Sequence, residues 1–326
     1  MPKWFSCQRL LHLQLSTSLF VTLVLIAVVQ FFACYTTYNY NHLTADNLGS
    51  SLYHVTNPKL VINKSKPECK YEDLLLSSKS TAVWDVPKNY DDFLPTGILN
   101  GSYFPDVCNP LYSVAILVTY RNRQSQLDIF IPYMHNFLRK QRIHYKIYVI
   151  EQQDNKPWNK GMLYNIGAKQ AIADKFPCLI LHDVDLLPLD EANLYACLKQ
   201  PRHMSASIDK FRYVLIYSSL VGGVLAITSE QYMEVNGFSN KYQGWGGEDD
   251  DFANRLMMYD LEMMRLPPTQ SRYTMLRHRQ EKKNKNRHRI MSANKNKIHL
   301  DGVRALPHYT ASVRDHRLYS MVSVRL

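Results

Sequence analysis

Hydrophobic and polar positions change period several times along the chain, and each change marks an element. Residues 16–35 read STSLFVTLVLIAVVQFFACY, an apolar run with no charged side chain. At ~1.5 Å per helical residue it approaches the ~30 Å of a bilayer's hydrocarbon core and predicts a membrane-spanning helix. Lys3 and Arg9 precede it without an acid, so residues 1–15 read as a cytoplasmic tail, with the rest of the chain in a lumen. A cleaved signal peptide is the rival reading; the run is long for one and lacks a clear small-residue cleavage site. The expectation is a retained signal-anchor and a single-pass type II protein.

After that run, residues 36–66 are rich in Asn, Thr, Ser and Tyr and show no sustained period, which reads as a stem. Residues 67–326 then carry the periodic segments of a folded domain. Val114 to Val118 is a short continuous apolar run, a buried strand feeding the polar stretch Thr119 to Arg123. Leu127, Phe130, Ile131, Met134, Phe137 and Leu138 recur at helical spacing. Tyr145 to Ile150 reads as a second strand, Leu163 to Ala173 as a second helix, and Leu179 to Leu181 as a third strand. This alternation predicts an α/β domain built on a mainly parallel sheet. Near residue 250 the helical period returns with Phe252, Leu256 and Met257, and four acids, Glu248, Asp249, Asp250 and Asp251, stand at its start. There the helix dipole favours negative charge. Gly244, Trp245, Gly246 and Gly247 lie directly ahead, a turn whose backbone can approach a ligand closely.

In such sheets ligands sit beyond the carboxyl ends of the strands. Two of those ends carry candidate chemistry. Arg121 and Arg123 follow the first strand, where guanidinium groups grip phosphate bidentately. His182-Asp183-Val184-Asp185 ends the third, and alternation sends its two carboxylates to different tasks. The net charge of +11 raises the question of nucleic acid, but the dense basic run from Arg277 to Arg289 has no nucleic-acid motif and no interleaved aromatics. An acidic nucleotide donor or an anionic surface suits that field better. Of six cysteines, Cys7 precedes the apolar run and Cys34 ends it; Cys69, Cys108, Cys178 and Cys197 remain as an even set with three pairings open. Asn63-Lys64-Ser65 and Asn100-Gly101-Ser102 are acceptor sequons for N-glycosylation.

Tyr120-Arg121-Asn122-Arg123, Trp158-Asn159-Lys160-Gly161, Asp183-Val184-Asp185, Gly244 through Asp251, and Met275-Leu276-Arg277-His278 occur in one order. That order and spacing resemble the β-1,4-galactosyltransferase family over about residues 69–310. Gln200-Pro201-Arg202-His203, Asn236-Gly237-Phe238 and Asp301-Gly302 agree with it. The resemblance implies a single Rossmann-like catalytic domain of the GT-A class and a Golgi enzyme. It selects the disulfides Cys69–Cys108 and Cys178–Cys197. It implies Mn²⁺ held by Asp185, Met275 and His278, and UDP contacts from Thr119, Tyr120, Arg121, Arg123, Asp183 and Val184. Asp249 matches the catalytic base and Glu248 a residue bonding the sugars. Trp245 matches a mobile lid residue over the donor, while Tyr217, Gly247, Asp249 and Asp250 fall on the acceptor side.

The resemblance also implies a donor and an acceptor. Galactose-transferring vertebrate members carry a tyrosine three residues before the second glycine of a Gly-Gly-Val motif; here that place holds Leu220, ahead of Gly222, Gly223 and Val224. The smaller residue should admit an N-acetyl group, so the expected reaction is Mn-dependent, inverting transfer from UDP-GalNAc to O4 of a terminal GlcNAc on a glycolipid or N-glycan. UDP-Gal on the same acceptor is the alternative. Gly247 points to GlcNAc, since the xylose-directed branch has arginine there. A shorter, more basic loop over residues 285–290 departs from the family's Pro-containing stretch. An anchored enzyme leaves room for a homodimer or a helper membrane protein. A catalytically silent lectin-like Golgi protein would be expected to lack Asp185, His278 or Asp249, and all three are present.

Overall fold

The structure, a computed structural model, describes residues 16–31, 40–76, 97–279, 281–294 and 297–326. Two compact units divide the chain, residues 1–41 and residues 42–326. In the first, helix α1 occupies 16–31 and leaves Leu19, Phe20 and Leu23 exposed. Its sixteen described residues rise ~24 Å. Among the described residues no helix is long and apolar enough to cross a membrane. The expected transmembrane signal-anchor over 16–35 is corrected on that ground, and with it the Golgi type II placement and the luminal catalytic domain. Residues 1–15 and 32–39, with Cys7 and Cys34, lie outside the described residues.

The second unit opens with α2 (Ala45–Ser51), α3 (Glu72–Leu76) and the short hairpin β1 (Ile98–Leu99) and β2 (Ser102–Tyr103). Residues 42–66, read from sequence as a stem, are stitched onto this unit. Leu48 and Leu52 are buried in its core, and the Tyr53 and Lys199 amides donate to the Cys197 and Ser51 carbonyls. The sequence elements then follow in order: β3 (Ser113–Tyr120), α4 (Gln124–Lys140), β4 (His144–Gln152), α5 (Lys160–Ala173) and β5 (Cys178–Asp183). After them come β6 (Leu186–Pro188), β7 (Arg202–His203), β8 (Ser207–Ile208), β9 (Val224–Thr228), α6 (Ser229–Glu234), α7 (Glu248–Met258), β10 (Arg272–Met275), α8 (Arg287–Asn294), β11 (Thr310–Asp315) and β12 (Ser320–Arg325).

The main sheet runs β1-β2-β4-β3-β5-β9-β7, and β12 joins the far end of β4 with β11 outside it. Its centre is parallel, β4 and β5 flanking β3 and β12 flanking β4. The flanks are antiparallel: β9 on β5, β7 on β9, β2 on β4, β11 on β12. The expected mainly parallel sheet is therefore a mixed one. Period-2 alternation explains the layers. Val114, Ile116 and Val118 face one core with Phe130, Met134 and Phe137 of α4. Ala115 and Leu117 face the other, with Leu163 and Ile166 of α5 and Phe252 and Leu256 of α7. A second sheet, β6-β10-β8, stands beyond the end of β5. Cys69–Cys108 ties the segment before β1 to the loop before β3, and Cys178–Cys197 ties the start of β5 to the loop before β7.

Candidate functional site

The site grows from the ends of β3 and β5. These strands lie side by side in parallel register, with Thr119 opposite Asp183, so Arg121, Arg123, Val184 and Asp185 leave the sheet at one edge. The chain then turns into β6, which pairs with β10 so that Met275 stands opposite Leu186, and the Leu276 amide donates to the Asp185 carbonyl at 2.7 Å. This pairing brings residues ninety positions apart beside one another. Asp209 holds β10 in place by accepting from the Thr274 hydroxyl and, at 3.0 Å, from the Met275 amide.

His278 comes three residues after Met275, and its Nε2 lies 2.5 Å from Asp185 Oδ2. Its Nδ1 lies 3.0 Å from the Arg279 carbonyl, which can only accept, so Nδ1 carries a proton. The hydrogen bond to Asp185 raises the pKa of His278, with burial opposing. A ring fixed through Nδ1–H with Nε2 aimed at a carboxylate is arranged as in metal-ligating histidines. Asp185, His278 and Met275 line one cavity and offer oxygen, nitrogen and sulfur donors. Among the described residues no group of three His, Cys, Asp and Glu side chains forms a metal cluster. This donor set fits a divalent cation whose remaining ligands come from a substrate's oxygens, although the thioether is soft for Mn²⁺.

The other half of the site comes from helix starts. Asn159 caps α5 by accepting from the Met162 amide, which leaves Lys160 at the first helical position. Lys160 Nζ lies 2.9 Å from Asp183 Oδ1 and 3.4 Å from Asp249 Oδ2, with its side chain 11 % exposed. Burial alone would depress the lysine's pKa; Asp183 and Asp249 together reverse this and hold it well above the ordinary value. Asp183 is pushed up to about 6, chiefly by burial, with Asp185 and Asp249 adding and Lys160 opposing.

α7 follows a turn in which Gly247, its capping residue, has φ of +97°. A Cβ there would lie 2.8 Å from a Tyr242 ring carbon and 2.9 Å from the Arg287 Cβ, so glycine is required on both counts. At ~100° per residue, the four acids that follow point four ways. Glu248 is 3 % exposed and accepts from the Gly246 amide at 3.0 Å. Burial, then the neighbouring Asp249, raises it to about 7, with Lys160 opposing. Asp249 reaches Lys160 and lies against Gly222, where a Cβ would come within 2.5 Å of its Oδ2. Asp250 accepts from the Tyr217 hydroxyl at 2.9 Å. Asp251 turns inward to Arg255 at 2.9 Å and is structural.

A cavity of about 210 Å³ gathers Thr119, Arg121, Arg123, Asp183, Val184, Asp185, Trp245, Glu248, Asp249, Met275 and His278 in its wall. It shares Arg121, Arg123, Trp158 and Glu281 with a polar trough of about 950 Å³. Tyr120 does not line the cavity; its ring is in the core and its hydroxyl donates to Gln124. Leu220 is half-buried outside the wall, two residues before Gly222, and Arg265 donates to its carbonyl. Tyr217, Gly247 and Asp250 do not line the cavity, and the Tyr217 hydroxyl donates to Asp250. Asn63 and Asn100 are exposed and line neither space; Asn63 Oδ1 accepts from Ser65 of its own sequon.

Sequence reasoning assigned no role to Lys160, Lys210, Phe211, Trp158 or Glu281, all of which line the cavity. Lys160 had one signal, its place just after a capping asparagine in a motif already singled out. Arg121 lies over the Trp158 ring at 5.2 Å, donates to the Lys156 carbonyl and meets Glu281 at 3.4 Å. Trp245, 42 % exposed, is laced to the basic segment: its amide donates to the Lys282 carbonyl and its carbonyl accepts from Asn284. The glycine turn and the basic segment are thus joined by backbone hydrogen bonds.

Comparison with known proteins adds to this geometry. The family described as the N-terminal region of glycosyl transferase group 7 matches residues 76–198, and the N-terminal domain of galactosyltransferase matches residues 202–279. Beta-1,4-galactosyltransferase 6 of Rattus norvegicus is 39 % identical over 229 residues, 69 % of this chain and 60 % of that protein. Beta-1,4-galactosyltransferase 1 of Homo sapiens is 35 % identical over 267 residues, 80 % of this chain and 67 % of that protein. The chain thus spans about 60 % of the length of the first of these relatives. Among solved structures, the catalytic domain of Drosophila beta1,4galactosyltransferase 7 in complex with xylobiose superposes with a TM-score of 0.58 at 29 % identity, covering 66 % of this chain and 94 % of that one. A mutant of the same enzyme, complexed with manganese, UDP-Gal and xylobiose, superposes equally well at 28 % identity.

Proposed function

The chain belongs to the β-1,4-galactosyltransferase family, and from that premise we propose that it transfers galactose from UDP-galactose to a hydroxyl of a glycan acceptor ending in GlcNAc, with inversion at the sugar. One observation carries the reading. The end of β5 places Asp183 and Asp185 between two charge systems, the Asp185–His278–Met275 group and the Lys160–Asp249 pair. Breaking a sugar–diphosphate bond needs both, one for the leaving anion and one for the attacking hydroxyl.

In this reading residues 67–326 form the catalytic domain. Arg121, Arg123 and Lys210 bind the diphosphate, and the trough beside Arg121 and Trp158 takes the nucleoside, since about 210 Å³ is too small for a whole nucleotide sugar. Asp185, His278 and Met275 would hold Mn²⁺, which when bound neutralises charge on the leaving diphosphate. Asp249 takes the proton from the acceptor hydroxyl. Glu248 bonds the sugars, and Asp183, steadied by Lys160, faces the donor. Trp245 covers the donor, and Tyr217, Gly247 and Asp250 shape the acceptor side. A single displacement by that hydroxyl turns an α-linked donor into a β-linked product.

The relatives named above support galactose as the sugar. N-acetylgalactosamine is a second reading, favoured by Leu220, which stands just before the Gly222 backbone that touches Asp249 and leaves more room than a tyrosine. The test is incubation of the full chain and Mn²⁺ with a GlcNAc-terminated acceptor and, separately, UDP-Gal and UDP-GalNAc. Faster transfer from UDP-Gal supports the first reading, faster transfer from UDP-GalNAc the second. No sugar transfer from either donor would sink both.

A further inference from the structure

We propose that the acceptor carries an anionic group, a sulfate ester or a sugar carboxylate, on or next to the sugar that is glycosylated, and that Arg287 receives it. The inference rests on the transferase reading and adds the acceptor's chemical class to it. It starts from the start of α8. A Cβ built on Gly246 would stand 3.2 Å from Arg287 Nη1, and one on Gly247 would stand 2.9 Å from the Arg287 Cβ. The arginine is thus packed on the turn that leads directly into Glu248 and Asp249, at the lip of the reaction centre.

Its partners are the unusual part. Three acids, Glu248, Asp249 and Asp250, begin the helix one residue after Gly247, yet Arg287 forms no ion pair among the described residues. Those carboxylates are directed elsewhere: to the Gly246 amide, to Lys160 and to Tyr217. Arg287 Nε meets only the neighbouring His288 ring, at 3.2 Å. Lys285, His288 and Arg289 are exposed around it and likewise have no ion-pair partner among the described residues. The basic run therefore has two parts. Arg279, Lys282 and Lys283 line the trough on the donor side. Lys285, Arg287, His288 and Arg289 lie past Asn284 and outside that trough, with Arg287 against Gly246 and Gly247.

The chemistry follows from this placement. An acceptor hydroxyl must approach Asp249, at a helix start that also carries Glu248 and Asp250. A neutral sugar needs no cation there. An anionic one would be repelled unless a guanidinium offset those carboxylates, and a half-buried guanidinium with free N–H groups recognises carboxylate or sulfate oxygens in a fork. Exposed lysine and arginine around it add a field that steers such a group inward and weakens with salt.

The experiment compares kcat/KM of the full chain for three acceptors that share a terminal GlcNAc: neutral, 6-O-sulfated, and neutral with a glucuronate as the next sugar. Each is measured at low and high salt, and again with R287Q and R287K. We expect one or both acidic acceptors to be used about tenfold better than the neutral one. The preference should shrink in high salt, fall close to unity in R287Q and return in part in R287K. Which acidic acceptor gains tells sulfate from carboxylate. Equal use of all three by the native chain overturns the proposal while leaving the transferase reading intact. A preference that R287Q does not alter also overturns it, as does equal use combined with Arg287-dependent binding to phosphatidylserine vesicles, which would assign the patch to a lipid surface. Absence of transfer to every acceptor would instead remove the transferase reading and the inference with it.

Discussion

The two halves of the site are built on different supports. The half around Asp183 and Asp185 stands at the end of a buried strand, with β3 in register beside it, β10 clamped by Asp209 behind it, and the Cys178–Cys197 bridge at the strand's other end. The half around Glu248 and Asp249 stands on a glycine turn, and that turn is laced by backbone hydrogen bonds to the basic segment at Lys282 and Asn284. A sheet edge fixes donors to within tenths of an ångström, as holding a diphosphate and a cation requires. A glycine turn allows the sugar end to close after both substrates arrive. Lys160 touches both halves, pairing with Asp183 and with Asp249.

Three changes break that division, with effects that decrease in turn. Asp249→Asn removes the group proposed to take the acceptor's proton and should lower kcat by about 10²–10⁴-fold with the fold retained. Steady-state rates beside an unchanged circular dichroism spectrum check this, and an unaltered rate would mean the proton goes elsewhere. Chelation followed by titration with Mn²⁺ should show loss and recovery of activity. His278→Ala should raise the Mn²⁺ needed for half-maximal rate by roughly 10–100-fold, and an unchanged requirement would place the cation at other residues.

Lys160→Met separates the halves electrostatically. Glu248 is raised to about 7, mainly by burial, and Lys160 opposes that rise. If Glu248 serves as a carboxylate, activity climbs as pH passes through about 7. Removing the cation leaves the carboxylate less favoured, so the limb moves to higher pH, by about one unit. The pH profile of kcat/KM reads this directly, and Lys160→Arg should return the limb most of the way. A lower rate with an unmoved limb would make Lys160 structural only.

The same contrast explains what was legible in the sequence. Strands and helices from β3 to β5 carry strong apolar period, and their positions follow from it. The carboxyl end of β5 was legible for the same reason, because a buried strand that ends in Asp-Val-Asp must release those residues at the sheet edge. Antiparallel β9, β7 and β11 left weaker marks; β7 has two residues, and all six residues of β11 are exposed and show no alternation. The apolar run near the N-terminus was legible as composition, yet among the described residues no helix is long and apolar enough to cross a membrane. The acid run was legible as a helix start, and the resemblance gave Glu248, Asp249 and Asp250 separate roles, but the partners that divide the run, Lys160, Tyr217 and Arg255, come from other turns and elements and were not legible. Lys160 was missed because a single lysine after an asparagine has no signature until two carboxylates from other elements converge on it.

The smallest change tests the boundary between the halves, where the donor's sugar meets the loop before β9. Leu220 is outside the cavity wall, but its chain leads into Val221 and Gly222, and the Gly222 backbone touches the Asp249 carboxylate. A tyrosine there adds a ring and a hydroxyl without disturbing the bond from Arg265 to the residue's carbonyl. Added bulk beside the C2 substituent should disfavour an N-acetyl group, and the hydroxyl should favour a C2 hydroxyl. Leu220→Tyr is therefore expected to raise the ratio of galactose to N-acetylgalactosamine transfer by a few-fold to about tenfold, within the 1–3 kcal/mol that such pocket changes carry. Competition between the two UDP-sugars in one tube measures the ratio independently of enzyme concentration. A ratio that stays the same would place sugar selection on the glycine-turn half of the site instead, with Trp245 and Glu248.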